Sequence, residues 1–428
     1  MTVALSVFAL LVVVFVSQSA RFSKTYLTAP IIFLVAGVVV GRTLVDVEVE
    51  GAAIRTLAEV ALVLVLFHDA AELQPRELRA DFALTGRLLL IGLPLTIAAG
   101  YLLARAIFPE VGVWLALVLA AALAPTDAGL GAATVLNPVV PTRVRRILNV
   151  ESGMNDGLAT PVLLFAVAAA AGFTDEQTGH GLREAVLELA LGALVGIVVG
   201  YLAARLLERS RGRGWADRGL LPIATLAIPL LNYTLATALG GNGYIAAFVA
   251  GTAYAAGQKS VADLHETIGL TGLTSSFLGY AVWMAFGAVA TSQLGLILSW
   301  QNVTYAVLSL TVVRMLPVAL ALLGSGLRPP TVAFVGWFGP RGLASIIFAL
   351  ITIEALDAEP AVQTVLRVIA TTVVLSVLAH GLTASAWSTR FGAWARRTHP
   401  PVESASSVEP QRRHGYSSPL PPPPESAT

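Results

Sequence analysis

Apolar residues dominate this chain in runs of roughly 17 to 25, each long enough to cross a hydrocarbon layer of about 30 Å as a helix rising about 1.5 Å per residue. Polar residues gather in the short stretches between them. The pattern predicts about thirteen spans, near 2–19, 26–43, 53–71, 84–107, 112–135, 147–171, 184–207, 219–239, 243–257, 269–291, 302–324, 331–354 and 362–387. Barrel strands would be about half as long and alternate in polarity, and no such alternation runs through the sequence. The expected fold class is an all-α polytopic membrane protein.

Composition strengthens that reading. Of 428 residues, 56% are hydrophobic and only 12% charged, more apolar surface than one soluble core buries. Cysteine is absent, which excludes a disulfide framework, a thiol nucleophile and a thiolate metal site. The first run, "TVALSVFALLVVVFVSQSA", has no basic residue ahead of it and reads as a spanning helix, not a cleaved signal peptide. Residues 388–428 are rich in Pro, Ser and charge and are expected to form a disordered cytoplasmic tail.

Lys and Arg mark cytoplasmic loops. Taken alternately, one set of loops holds Arg21, Lys24, Arg76, Arg79, Arg87, Arg143, Arg145, Arg146, Arg205, Arg209, Arg211, Arg213, Arg218, Lys259, Arg328 and the tail arginines, and the other only Arg42, Arg55, Arg105, Arg183 and Arg367. That asymmetry predicts an odd number of spans, with the N-terminus outside and the C-terminus inside. The loop arginines read as topology signals, and no nucleic-acid partner is expected.

The polar residues inside the runs carry the chemistry. "NVESGMNDG" (149–157) opens the sixth span, placing Asp156 about 14 Å past Ile147, near mid-membrane. Ser152 and Asp156 share one helical stripe, Glu151 and Asn155 the neighbouring one. The set either faces a functional cavity or only pins helices together. In the fifth span, "LAPTDAGLGAA" surrounds Thr126 and Asp127 with Pro125, Gly129 and Gly131, which predicts an unwound stretch. In the twelfth, "FGPRGLAS" surrounds Arg341 with Gly339, Pro340 and Gly342. Spans seven apart run in opposite directions, and matching interruptions in opposed halves mark an inverted-repeat transporter with its ion site where the broken helices meet. Arg314 needs an intramembrane partner, for which Glu151 is the candidate. Asp69 ends the third span, as part of a cation funnel or as a solvated helix end; His68 beside it is a pH sensor or plain packing.

These residues resemble the monovalent cation:proton antiporters, in particular bacterial Na⁺/H⁺ antiporters related to animal sodium/proton exchangers. The matching stretches are "LTAPIIFLVAGVVVG", "LFHDAAEL", "LAPTDA", "VESGMNDG", "NGYIAAFVAG", "GPRGLAS" and "VVLSVLAHGLT". The resemblance implies a homodimer in the inner membrane, with a core bundle (about 84–171 and 302–387) moving against a dimerisation part (about 1–71 and 184–291). It implies that Asp156 alternately holds a proton or Na⁺, with Asn155 as neighbour. Thr126, Asp127 and Ser152 line the site, Asp69 is an accessory acid, Glu151 and Arg314 form a structural ion pair, and Arg341 is the arginine of the second break. Met154 stands where relatives usually have leucine, a swap of similar volume.

The mechanism also follows from the residues. Taking a carboxylate out of water makes its charged form costly, so a proton and a cation compete for it. If the cavity reopens only when one is bound, the cycle exchanges one for the other. Of Asn155 and Asp156 only one can ionise, which predicts electroneutral one-for-one exchange. No cofactor is expected, and no Walker-type phosphate loop occurs. A channel or symporter on a similar broken-helix site is the alternative; an intramembrane protease built on the two aspartates fits less well beside Arg341.

Overall fold

The computed structural model of the chain describes residues 2–22, 28–43, 51–72, 83–135, 137–172, 178–259, 261–292, 298–356 and 359–405. Among them no strand occurs. The helices are α1 (Thr2–Phe22), α2 (Ala29–Thr43), α3 (Gly51–Glu72), α4 (Ala83–Ile107), α5 (Gly112–Ala122), α6 (Ala128–Val135), α7 (Thr142–Gly172), α8 (Thr178–Gly212), α9 (Leu221–Ala238), α10 (Gly243–Gly257), α11 (Val261–Ser292), α12 (Trp300–Ala321), α13 (Pro329–Trp337), α14 (Leu343–Ala355) and α15 (Pro360–Thr398). Each apolar run of the sequence is occupied by helix. Stretches within α4, α7, α8, α9, α11, α12 and α15 are long and apolar enough to cross a membrane. Their outer faces carry exposed Leu90 and Leu102 on α4, and Leu194, Ile197, Leu202 and Leu206 on α8, the reverse of a water-soluble surface and suited to lipid.

The helices pack as two sets. One comprises α2, α3 and α8 to α11; the other comprises α4 to α7 and α12 to α15. They meet where α7 touches α3, α8 and α10, where α14 touches α3 and α11, and where α15 touches α2. In lipid there is no hydrophobic drive to bring helices together, so small residues and van der Waals contact do it. Gly192, Gly196 and Gly200 form such a stripe on α8. A Cβ at Gly196 or Gly200 would lie 2.6 Å from the carbonyl oxygen of Ala246 or Ala250 on α10, so the two backbones touch directly.

Two helices are less regular than expected. α4 contains a π turn at Leu88–Gly92, just ahead of Pro94, whose missing N–H interrupts the ladder. α12 breaks at Thr311 (φ −111°, ψ −89°), where the Thr311 hydroxyl bonds back to the Val307 carbonyl at 2.6 Å, a contact that bends helices.

The expected start of disorder at residue 388 is corrected. α15 continues to Thr398 because Phe391 and Ala395 are buried, and the Phe391 ring stacks on Phe334 of α13 with centroids 4.1 Å apart. Residues 399–405 then fold back. Buried Glu403 accepts hydrogen bonds from the Arg328 amide (2.8 Å) and the Thr331 hydroxyl (2.7 Å) at the start of α13, and Arg143 at the start of α7 donates to the Val402 carbonyl at 2.8 Å. The rest of the expected tail, from residue 406, and the loop residues Lys24, Arg76 and Arg79 lie outside the described residues.

Candidate functional site

The chain leaves helical geometry between α5 and α6 and again between α13 and α14, at the Pro125 and Pro340 stretches. The two breaks touch: the Asp127 amide donates to the Pro340 carbonyl at 2.7 Å. The Asp127 carboxylate then accepts from Leu130 (3.0 Å), in the first turn of α6, and from Leu343 (2.7 Å), in the first turn of α14. One negative charge thus serves unpaired amides and dipoles at two helix N-termini. Only glycine fits at 342, since a Cβ there would fall on the Asp127 carboxylate.

Arg341 does the converse. Fully buried, its guanidinium donates to the carbonyls of Ala124 and, at 3.0 Å, Pro125, which are left open where α5 ends. Ser345 adds a hydroxyl bond to the Ala122 carbonyl at 2.7 Å. A cation at the negative end of a half-helix is favourable, and these acceptors are what make an arginine tolerable at that depth.

Asp156 lies near the midpoint of the 31-residue α7. One turn earlier the Ser152 hydroxyl donates to the Thr126 carbonyl at 2.5 Å, and the Asn155 amide nitrogen donates to the Thr126 hydroxyl at 2.7 Å. The buried Asn155 carbonyl oxygen has no hydrogen-bond partner among the described residues. Asp156 faces a cavity of about 60 Å³, shared with Asp69, Asp127, Ser152, Ser275 and Ser276. At about 10 to 15 Å³ per water, such a space holds several waters or a partly hydrated ion. The acids and serines at its wall offer oxygen, the donor type that hard cations prefer, while Trp283, Leu62, Val65 and Ile347 make up an apolar side.

The structure therefore brings Asp156, Asn155, Ser152, Thr126 and Asp127 to one place. Asp69, 4% exposed on α3, joins them at the cavity wall; it is not a solvated helix end. His68 instead lies 3.2 Å from Glu72. His68, Asp69 and Glu72 together have metal-ligand spacing, but proximity is all that points to an ion there. Glu151 and Arg314 form the expected pair through two contacts of 2.6 and 2.9 Å, a buried bidentate arrangement. It stands behind the second break: a Cβ at Gly339 would come 2.5 Å from the Arg314 Nε.

Sequence reasoning missed Ser275, Ser276 and Ser345, since serines in a transmembrane run carry no signal of their own. It also left Ser376 and His380 without a role, although two polar residues one turn apart in an apolar span were visible in "VVLSVLAHGLT".

Comparison with known proteins gives a consistent picture. The family model described as "Sodium/hydrogen exchanger, transmembrane" matches residues 7–390. A Na⁺/H⁺ antiporter of Schizosaccharomyces pombe is 27% identical over 276 residues, covering 60% of this chain and 57% of that protein. The K⁺/H⁺ antiporter NhaP2 of Shewanella oneidensis is 28% identical over 283 residues, covering 63% of this chain and 46% of that one. The chain spans 28 to 57% of the length of the yeast relatives it matches. The solved sodium proton antiporter MjNhaP1 of Methanocaldococcus jannaschii superposes with a TM-score of 0.73 at 19% identity, over 91% of this chain and 99% of that one, so the fold is shared. With a family model matched over nearly the whole helical region, the chain belongs to the transmembrane sodium/hydrogen exchanger family.

Proposed function

We propose that the protein is a secondary active transporter, not an enzyme, that exchanges a monovalent cation, Na⁺ in the first instance and otherwise Li⁺ or K⁺, for H⁺ in an electroneutral one-for-one cycle. The observation that carries this is the Asp156 carboxylate at the centre of α7, facing a cavity that it shares with Asp69, Asp127 and three serines, beside two crossing helix breaks. When Asp156 is ionised, its charge and the oxygens of Ser152 and Thr126 hold the cation; when the cation leaves, a proton neutralises the same carboxylate. Uncompensated charge in that site is costly, so the occupied forms are the ones that cross between the two access states. Asn155 holds Thr126 in register and adds an amide oxygen without adding a second charge.

In this reading Asp127 is chiefly a terminator of half-helices, since amides take up both of its oxygens. Asp69 draws cations into the cavity from the α3 side. α4 to α7 and α12 to α15 form the core that moves, and α1 to α3 with α8 to α11 form the scaffold through which two copies dimerise in the inner membrane, N-terminus outside and C-terminus in the cytoplasm. Gradients of cation or proton supply the drive, with consequences for cellular pH.

The test is reconstitution in lipid vesicles with an internal pH dye. Adding Na⁺ to one side of an imposed pH gradient should move protons in the opposite direction, with no proton movement when cation is absent. Cation flux that leaves internal pH unchanged would make the protein a channel or symporter instead.

A further inference from the structure

The exchange reading places α15 in the moving core but gives none of its side chains a role, yet α15 reaches into the second break with two buried polar side chains. The Ser376 hydroxyl accepts the Arg341 backbone amide at 2.6 Å. One turn on, His380 places Nε2 2.8 Å from the carbonyl of Trp337, the last residue of α13. Its Nδ1 lies 3.2 Å from the Ser376 hydroxyl and 2.8 Å from the Ser376 carbonyl. Thr383, on the same face of α15, takes the Trp337 indole N–H at 3.0 Å. Ser376 is fully buried and His380 is 1% exposed.

A helix break inside a bilayer leaves a carbonyl on one side and an amide on the other without helical partners, and each unmet group is expensive. Ser376 meets the Arg341 amide, and His380 adds a second contact to the Trp337 carbonyl, which also accepts the Gly339 amide at 2.8 Å, from positions i and i+4 that face the same way. When Nε2 carries the ring proton, the ring donates to Trp337; Nδ1 then faces the Ser376 hydroxyl (3.2 Å), whose proton it can take, and the Ser376 carbonyl (2.8 Å), to which only a protonated Nδ1 would donate, while the Ser376 hydroxyl oxygen accepts from Arg341. The chain of contacts continues: the Arg341 guanidinium holds Ala124 and Pro125, and the next residue, Thr126, receives the hydrogen bonds of Ser152 and Asn155.

We propose that Ser376 and His380 are positioning residues of the transport site. They form a splint on α15 that fixes residues 337–341 and, through Arg341, sets where Thr126 stands relative to Ser152, Asn155 and Asp156. The inference deepens the exchange reading and rests on it. A splint differs from ordinary packing because its loss should displace cation ligands, and so change cation affinity, without touching the group that carries the proton.

The full-length protein in vesicles with an internal pH dye tests this through three variants. Ser376→Ala and His380→Leu should each raise the half-saturating Na⁺ concentration by about tenfold, the scale of one lost buried hydrogen bond read on a binding constant, with the maximal rate kept within about twofold. His380→Gln retains a donor for the Trp337 carbonyl, so it should recover most of that affinity and leave the pH profile of exchange where the wild type has it. Unchanged half-saturation in Ser376→Ala and His380→Leu, with only a lower melting temperature, would reduce the pair to core packing. A pH profile displaced in His380→Gln would make the histidine a titrating group and overturn the splint. If His380→Leu does not insert, Ser376→Ala, which removes a single oxygen, decides the matter. Wild-type vesicles that move no protons with any cation would instead overturn the exchange reading, and the inference with it.

Discussion

The carboxylate of Asp127, on one broken helix, accepts the amide of Leu343, on the other, at 2.7 Å. The first break therefore terminates the second, and Arg341 returns the contact by closing the carbonyls of Ala124 and Pro125. A crossing capped in this way needs no bound ion to hold it together, which allows the site beside it to empty and refill without unravelling. It also separates two acids that look equivalent in sequence, one built into the backbone scaffold and the other facing its cavity from the middle of a continuous helix.

Asp127→Asn should accordingly act on stability first. Replacing one carboxylate oxygen by an NH₂ group that faces an amide donor removes a cap, a loss of about 0.5 to 2 kcal/mol, visible as a lower melting temperature in detergent. Exchange should slow yet remain one-for-one. A change in the charge moved per cycle, measured in vesicles with and without a voltage clamp, would make Asp127 a proton carrier.

Asp156→Asn should abolish exchange while the protein remains folded and inserted, because an amide cannot cycle between proton and cation. The check is proton movement in vesicles, alongside size-exclusion behaviour to confirm folding. Exchange near the wild-type rate would remove Asp156 from the centre of the mechanism.

Glu151→Ala should cost about 3 to 5 kcal/mol, since it leaves the Arg314 guanidinium charged in a buried site. Adding Arg314→Ala should restore part of that loss. Thermal unfolding of the wild type, the two single variants and the double variant measures the coupling, and strictly additive shifts would contradict the bidentate contact.

Exchange of Na⁺ or Li⁺ should generate no membrane potential, and clamping the voltage to zero with K⁺ and valinomycin should not alter its rate. The reason is that Asn155 donates a hydrogen bond to Thr126 and cannot ionise, so Asp156 alone balances cation against proton. A sustained, cation-dependent potential without valinomycin would exclude the one-for-one cycle.

The large features were legible because lipid imposes them. Run length specified the helices, and proline with glycine specified both breaks, since nothing else in an apolar span combines a missing donor with a missing side chain. The Glu151–Arg314 pair was legible by elimination, as a buried arginine demands an acid. What the sequence hid was direction. Asp127 and Asp156 each sit among small residues, and only the crossing of two chain segments far apart in sequence decides that one caps helices. Asp69 was ambiguous for a similar reason: its neighbours in sequence suggest a helix end, whereas Ser275 and Ser276, about two hundred residues away, share its cavity. The extension of α15 was obscured by the basic residues around Phe391 and Trp394, whose spacing nevertheless continues an apolar stripe.

The fold-back of Val402 and Glu403 has a practical side. Anyone attaching a fluorescent reporter or an affinity handle would cut where the apolar run ends, near residue 387, and would thereby delete the last turns of α15, the Glu403 cap on α13 and the acceptor for Arg143. Such a fusion should be produced in lower yield and melt earlier than one joined after Ala405, because α7 and α13 each lose a fastening at their first turn. Glu403→Ala in the intact chain should reproduce the part due to the cap, about 0.5 to 2 kcal/mol. The usable boundary for engineering this protein therefore falls eighteen residues beyond the point at which its hydrophobicity stops.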